Sequence, residues 1–388
     1  MPLKTESTLV KATLLLSSSL TVMAGATISP SLPAMRDYFA ATPNADYWVR
    51  LVLTVPALFI AISAPFVGTA IDRFGRKPLL SFAVLLYGIA GTSGAVFNDL
   101  GLILVGRVLL GLSVAGIMTT ATALIADYYI GAARAQFLGF QAACMGLGGV
   151  VFLSLGGFLA DVSWRMPFLI YLLALLLLPL VVLVLPEPRR TDTVQNLGAD
   201  ADVGFPWQIA GLTYVAALLS QIVFYLIPVQ LPFYLKELVN ATASQSGLAI
   251  ALVTLFSAAS AIAYKQCKAR LSFLSIYAIA FLFIAVGYLV IGFSPTYVMV
   301  LVGLAIAGTG LGLLMPNMNV CLTSVTPGSL RGRVLGGLTT ALFLGQFVSP
   351  ILSQPLSSAV GLAVTYQLAS GLMIGLSAIA LGFGWRWR

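Results

Sequence analysis

The sequence predicts an all-α membrane protein of twelve transmembrane helices, and three observations carry that reading. Of 388 residues, 60% are hydrophobic and only 8% are charged. An average soluble domain carries about 25% charged residues, and a chain this poor in polar groups cannot clothe a water-facing surface. Apolar runs of spanning length recur along the chain, and Lys and Arg gather in every second interval between them. The same composition removes other classes. Histidine is absent, and Cys144, Cys267 and Cys321 each sit inside apolar runs. That set builds no zinc or haem site, no Cys–His nucleophile and no disulfide framework, so neither metal nor cofactor is expected, and no enzyme activity. The net charge of +8 is read as a topology signal, and nucleic acid is not an expected partner.

A helix needs about 20 apolar residues to cross the hydrocarbon core. Runs bounded by charges and turn residues fall at 12–34, 49–70, 79–97, 100–125, 136–159 and 166–185, then at 207–230, 246–264, 272–292, 296–318, 332–354 and 360–384. The first run follows Lys4 and Lys11 and contains Ala24-Gly25-Ala26, which loosely imitates a secretory signal. Because it continues to Leu32, it is read as a first spanning helix. The sixth run, from Phe168 to Leu185, is apolar enough to be read as lipid-facing. The longest polar interval, Pro186 to Pro206, carries Arg189, Arg190, Asp192, Asp200 and Asp202. It divides the chain into a first six-helix bundle (1–185), a cytoplasmic linker (186–206) and a second bundle (207–388).

Charge tests the count. With the N-terminus inside, the cytoplasmic segments hold Lys4, Lys11, Arg73, Arg76, Lys77, Arg134, Arg189, Arg190, Lys265, Lys268, Arg270, Arg331, Arg333, Arg386 and Arg388. The outer segments hold only Arg36, Arg50, Arg165 and Lys236, each near an acid such as Asp37, Asp46, Asp161 or Glu237. Adding or losing one span scrambles that partition, so both termini are expected in the cytoplasm of a multi-pass inner (plasma) membrane protein. Basic segments follow spans two and eight and precede spans five and eleven, a weak internal repeat of the kind secondary transporters use.

Between spans two and three the chain reads Gly68-Thr-Ala-Ile-Asp72-Arg73-Phe-Gly75-Arg76-Lys77. Gly68 permits close helix packing, Gly75 a tight turn, and the three cations hold the loop on the inner side. This stretch resembles the G-x-x-x-D-R-x-G-R-K loop signature of the major facilitator superfamily. Span four carries Arg107-Val-Leu-Leu-Gly111, similar to R-x-x-Q-G with Leu110 in place of the glutamine. Span five carries Gly139, Gly148 and the pair Gly156-Gly157 at the spacing of the antiporter motif, with Phe152-Leu153 where that motif has Gly-Pro. Ile28-Ser-Pro-Ser-Leu-Pro33 closes span one in the manner of the twelve-helix drug:proton antiporter branch. The resemblance implies two six-helix halves with pseudo-two-fold symmetry and a gating role for Gly68, Asp72, Arg73, Gly75, Arg76, Lys77 and Asp127. Asp72, Arg76 and Asp127 are read as an inner latch that holds the outward-facing state.

Arg107 is the charged residue that lies well inside a span, where a cation costs several kcal/mol unless it pairs or faces water. Two readings stand side by side. Backbone carbonyls satisfy it, or it faces the central cavity and binds an anion or modulates a carboxylate, as the resemblance implies. A proton-coupled carrier without histidine needs a carboxylate, and none of the twelve acids lies at a midplane. Asp37, at the outer end of span one, is the candidate proton carrier, beside its reading as a solvated acid near Arg36. The resemblance places the substrate among spans one, four, seven and ten. The candidate polar groups there or nearby are Gln141, Gln221, Tyr225, Gln230, Asn317, Asn319 and Gln346, each of which alternatively makes an interhelical hydrogen bond. The expected function is export of amphipathic or drug-like small molecules in exchange for protons by a monomer in contact with membrane lipid. The alternatives are a carrier for a polar or anionic metabolite anchored by Arg107, working as a uniporter or otherwise, and, behind these, a non-transporting sensor or a lipid scramblase.

Overall fold

The computed structural model describes residues 7–188, 207–327 and 330–386, and at Ala26, Pro65, Asp72 and 383–386 the backbone alone. Every regular element among the described residues is helical, and twelve stretches are long and apolar enough to cross a membrane. In hydrocarbon the backbone must satisfy its own polar groups, and helices do so within one segment. The helices are α1 (Thr8–Ala26), α2 (Leu32–Tyr38), α3 (Ala45–Phe74), α4 (Arg76–Gly91), α5 (Ser93–Val96), α6 (Leu100–Tyr128), α7 (Gly131–Val162) and α8 (Leu173–Val184). There follow α9 (Trp207–Phe224), α10 (Leu226–Val239), α11 (Ala243–Arg270), α12 (Phe273–Gly292), α13 (Tyr297–Val325), α14 (Arg331–Val360) and α15 (Leu362–Arg386). Span one is α1, a 3₁₀ turn at Ser29–Ser31 and α2. Pro30 and Pro33, which supply no N–H, mark the break. Span six starts as a 3₁₀ helix, Met166–Leu172, and span seven is α9 and α10 joined at Tyr225.

Packing divides the chain into two compact units. Unit 1 comprises Met1–Thr191 with Thr242–Leu248, and unit 2 comprises Asp192–Ala241 with Ala249–Arg388. In unit 1, α3 and α4 pack on α6, α1 on α7, and α8 on α4. In unit 2, α12 packs on α13 and α15, and α9 on α14.

Between apolar helices in a membrane, close approach replaces the hydrophobic effect as the source of attraction, and small residues permit it. A methyl group at Gly111 of α6 would stand 2.5 Å from the Pro56 carbonyl oxygen of α3. In unit 2, one at Gly303 of α13 would stand 2.7 Å from the Gly287 carbonyl oxygen of α12.

The two units share internal wiring that the sequence repeat barely hints at. In unit 1 the Tyr87 hydroxyl donates to the Leu20 carbonyl (2.7 Å) and the Tyr171 hydroxyl to the Ala24 carbonyl (3.3 Å). Their rings lie 5.5 Å apart. In unit 2 Tyr288 donates to the Val223 carbonyl (2.8 Å) and Tyr366 to the Leu226 carbonyl (3.1 Å), with rings 5.4 Å apart. Tyr87 and Tyr288 are offset by 201 positions (288 − 87), as are Gly91 and Gly292 (292 − 91) at the ends of α4 and α12.

Span six, read from sequence as lipid-facing, is open on one face and packed on the other. Leu169, Leu172, Leu173, Leu176 and Leu183 point outward, but Phe168, Tyr171, Ala174, Leu177 and Val181 are buried. Tyr171 and Leu175 fill the notches left by Gly91 and Gly88 on α4. Uniform hydrophobicity hides which face of a helix packs, because lipid and protein interior accept the same side chains.

Candidate functional site

The signature loop is built from a helix end, a reversal and a helix start. Gly75 separates α3 from α4 with φ +91°, a conformation that favours glycine. The first N–H groups of α4 lack intrahelical acceptors. Glu187 supplies both: the Arg76 N–H donates to Oε1 (2.8 Å) and the Lys77 N–H to Oε2 (2.7 Å). A Cβ at Gly75 would lie 2.8 Å from that same Oε1, so a larger residue would push the Glu187 carboxylate off its cap. Arg76 in turn donates through Nε to Asp127 Oδ2 at the end of α6, at 2.8 Å, a pair only partly open to solvent. Next to Asp127, the Tyr128 hydroxyl donates to the Pro186 carbonyl. Pro186 and Glu187, assigned to the linker from sequence, thus hold the loop of unit 1.

Sequence reasoning missed Glu187 because a cap supplied from 110 residues away leaves no local signal. The glutamate's place straight after an apolar run and a proline is the only hint. Of the other loop residues, Arg73 lies over the Phe74 ring at 5.5 Å, and Gly68 faces open space, so its small size serves no contact here. The Asp72 side chain lies outside the described residues, so of the three residues expected to form a latch the structure describes the Arg76–Asp127 pair.

Arg107, on α6, is fully buried in unit 1. Its Nη2 donates to the Gly91 carbonyl at 2.6 Å and its Nη1 to the Tyr171 hydroxyl at 3.2 Å. The guanidinium carbon lies 4.7 Å from the centre of the Phe168 ring and 5.0 Å from that of Tyr171. Nε has no partner, and no carboxylate is paired with the group among the described residues. The cation therefore rests on a helix C-terminus and two ring faces, which favour positive charge. In unit 2 the matching carbonyl, Gly292, accepts from the Gln367 amide at 3.0 Å. Asp37 lies exposed at the end of α2, 2.9 Å from Arg36 Nη2.

The remaining candidates divide into committed and open groups. Gln141 donates to Ser18 Oγ at 2.7 Å, tying α7 to α1. Asn317, fully buried, donates to the Phe273 carbonyl and accepts from Tyr264. Asn319 bonds back to the Met315 carbonyl one turn earlier. Gln230, also fully buried, donates to Ser353 Oγ and Gln354 Oε1. Tyr225 is buried with its ring 5.6 Å from Phe224. Gln221 and Gln346 are half-buried and meet each other at 3.4 Å.

Of the span-five glycines, Gly156 packs on Thr27. Gly157 faces Gly247 at the start of α11, where a methyl would lie 2.8 Å from the Ala243 carbonyl oxygen. Gly148 is in loose contact with Ser19, and Gly139 faces open space. With Phe152-Leu153 in place of Gly-Pro, α7 runs unbroken from Gly131 to Val162.

Two outer charges also change partners relative to the sequence reading. Arg165 donates to the Phe97 carbonyl and Asn98 Oδ1. Asp161 instead accepts from the N–H groups of Ala243 (2.7 Å) and Ser244 (3.2 Å), capping α11 within unit 1.

Twelve apolar spans, a glycine-reversed basic loop and an Arg–Asp ion pair now stand together, and the family model described as Major Facilitator Superfamily matches residues 14–262 and 213–388. The chain belongs to the major facilitator superfamily. It is therefore a transporter of small molecules and a multi-pass membrane protein. Among relatives, it is 23% identical over 307 residues to the Quinolone resistance protein NorA of Staphylococcus aureus (strain MSSA476), covering 78% of this chain and 79% of that one. It is 32% identical over 159 residues to Multidrug resistance protein 1 of Bacillus subtilis (strain 168), covering 41% of each. The fold is that of a D-xylose-proton symporter (TM-score 0.75, 19% identity, 94% of this chain and 96% of that one). It is equally that of a bacterial homologue of the human lysosomal transporter Spinster (TM-score 0.78, 18% identity, 96% and 95%).

Proposed function

We propose that this major facilitator protein exports amphipathic, drug-like small molecules across the plasma membrane by alternating access, in exchange for protons, as a monomer with both termini cytoplasmic. The observation that carries the reading is the basic loop, with Arg76 on Asp127 and Glu187 on the start of α4. Such a switchable set of charged contacts at a helix junction serves a protein that alternates between states, and a static receptor or scramblase has no use for it. Relatives named for quinolone and multidrug resistance support the substrate class. The abundance of Lys and Arg at the loop end supports placing that end in the cytoplasm.

In this reading Asp37, exposed at the opposite end, takes up the proton. It lies on α2, which continues span one, and the Ala24 carbonyl of that span is bonded to Tyr171, which is bonded to Arg107. Span one thus carries Asp37 at its outer end and, deeper in the bundle, a carbonyl tied through Tyr171 to Arg107. The alternative in which Arg107 anchors an anionic solute needs an accessible guanidinium, and in this conformation it is fully buried.

The test is proton flux in proteoliposomes under an imposed pH gradient, screened with cationic, neutral and anionic amphiphiles. Proton release triggered by several unrelated compounds is the expected result. Silence with all of them, alongside flux of one anionic metabolite, replaces this reading with the specific carrier.

A further inference from the structure

We propose that the transported molecule is an uncharged solute bearing an amide-like group, held by Gln221 and Gln346; this rests on the export reading above and narrows its substrate class. Gln221 lies 14 residues beyond Trp207 (221 − 207) in a span of 33 residues, and Gln346 lies 15 beyond Arg331 (346 − 331) in a span of 30. At 1.5 Å per residue both stand about 21–23 Å along their helices, near the middle of each span. Both side chains are half-buried, and Gln346 Nε2 donates to Gln221 Oε1 at 3.4 Å.

That contact leaves Gln221 Nε2 as a donor and Gln346 Oε1 as an acceptor, neither with a partner among the described residues. Exchanging the oxygen and nitrogen of both amides reverses the roles and still leaves one donor beside one acceptor. Neighbouring polar groups on the same helix pair are already engaged. Ser349 donates to the Ile222 carbonyl and Tyr214 to the Val334 carbonyl. The Gln221–Gln346 pair is where α9 and α14 retain hydrogen-bonding capacity at mid-depth.

A donor beside an acceptor matches a carboxamide, lactam or urea edge. An organic cation gains nothing there. A permanent cation such as tetraphenylphosphonium carries neither an N–H nor a carbonyl to pair with that edge.

The experiment is equilibrium binding of benzanilide, a neutral aromatic amide, and of tetraphenylphosphonium, a permanent cation, to the purified full chain in detergent, with flux of both in proteoliposomes. Benzanilide is expected to bind more tightly than tetraphenylphosphonium. Gln221→Ala and Gln346→Ala are each expected to weaken it about three- to tenfold, with thermal unfolding unchanged. Gln346→Glu is expected to shift preference toward the cation. Tighter binding of the cation by the unsubstituted chain, or benzanilide affinity unmoved in the alanine variants, overturns the proposal. Flux of tetraphenylphosphonium with no benzanilide binding sinks this proposal and leaves export standing. Benzanilide bound through the two glutamines with no flux of any amphiphile leaves the site and removes the export reading.

Discussion

At the scale of single residues, Glu187 and Arg107 show opposite ways of settling a charge. Glu187 is exposed and settles on two helix-terminal N–H groups. A cap of this kind is worth about 1 kcal/mol, too little to decide folding but enough to set how often the loop opens. Glu187→Ala is therefore expected to slow transport while leaving thermal unfolding within a few degrees of the unsubstituted chain. Full-rate transport in that variant removes the gating role. Arg107 is fully buried, so its loss strands the Gly91 carbonyl and opens a gap between Phe168 and Tyr171. Arg107→Ala is expected to cost about 1–3 kcal/mol and to lower the unfolding temperature in detergent. Arg107→Gln, which keeps a donor as Gln367 does in unit 2, is expected to recover part of that loss. An unfolding temperature unmoved by Arg107→Ala contradicts the packing role.

Between helices, contact depends on where small residues fall along each face. Gly111 and Gly139 look alike in sequence but differ in place: the first is pressed against Pro56 of α3, the second faces open space. Gly111→Val is expected to destabilise the chain by about 1–3 kcal/mol through overpacking. Gly139→Val is expected to be near neutral, and thermal unfolding of the two variants side by side is the check. The repeated tyrosines make the same point. Tyr87 and Tyr171 reach carbonyls of span one, and Tyr288 and Tyr366 reach carbonyls of span seven. Each bond ties a third or sixth helix of its half to the first, and buried hydroxyls in an apolar bundle are costly unless so paired.

For the molecule as a whole, exchange of solute for protons needs a group that is charged on one side of the cycle and neutral on the other. The assignment of that group to Asp37 predicts that Asp37→Asn abolishes accumulation driven by a pH gradient in proteoliposomes, while binding of solute to the detergent-solubilised chain persists. A pH-driven signal that survives the substitution moves proton uptake to another acid, with Asp161 the next to substitute. Asp161 is exposed and caps the first N–H groups of α11.

The sequence by itself determined the number of spans and the family, because apolar length, loop charge and the signature loop are local patterns that a membrane enforces directly; the Arg76–Asp127 contact followed only from the family resemblance. Tertiary structure decided which polar groups are spent and which stay available. Gln141, Gln230 and Asn317 allow two readings from sequence, substrate group or interhelical bond, and in the structure each bonds to another helix. Arg107 is bound to the end of α4, Asp161 to the start of α11, and Glu187, assigned from sequence to the linker, to the start of α4. The physical reason is common to all six. The partner of each is chosen by proximity in the fold, at separations of up to 124 residues for Gln230 and Gln354, which no local pattern records.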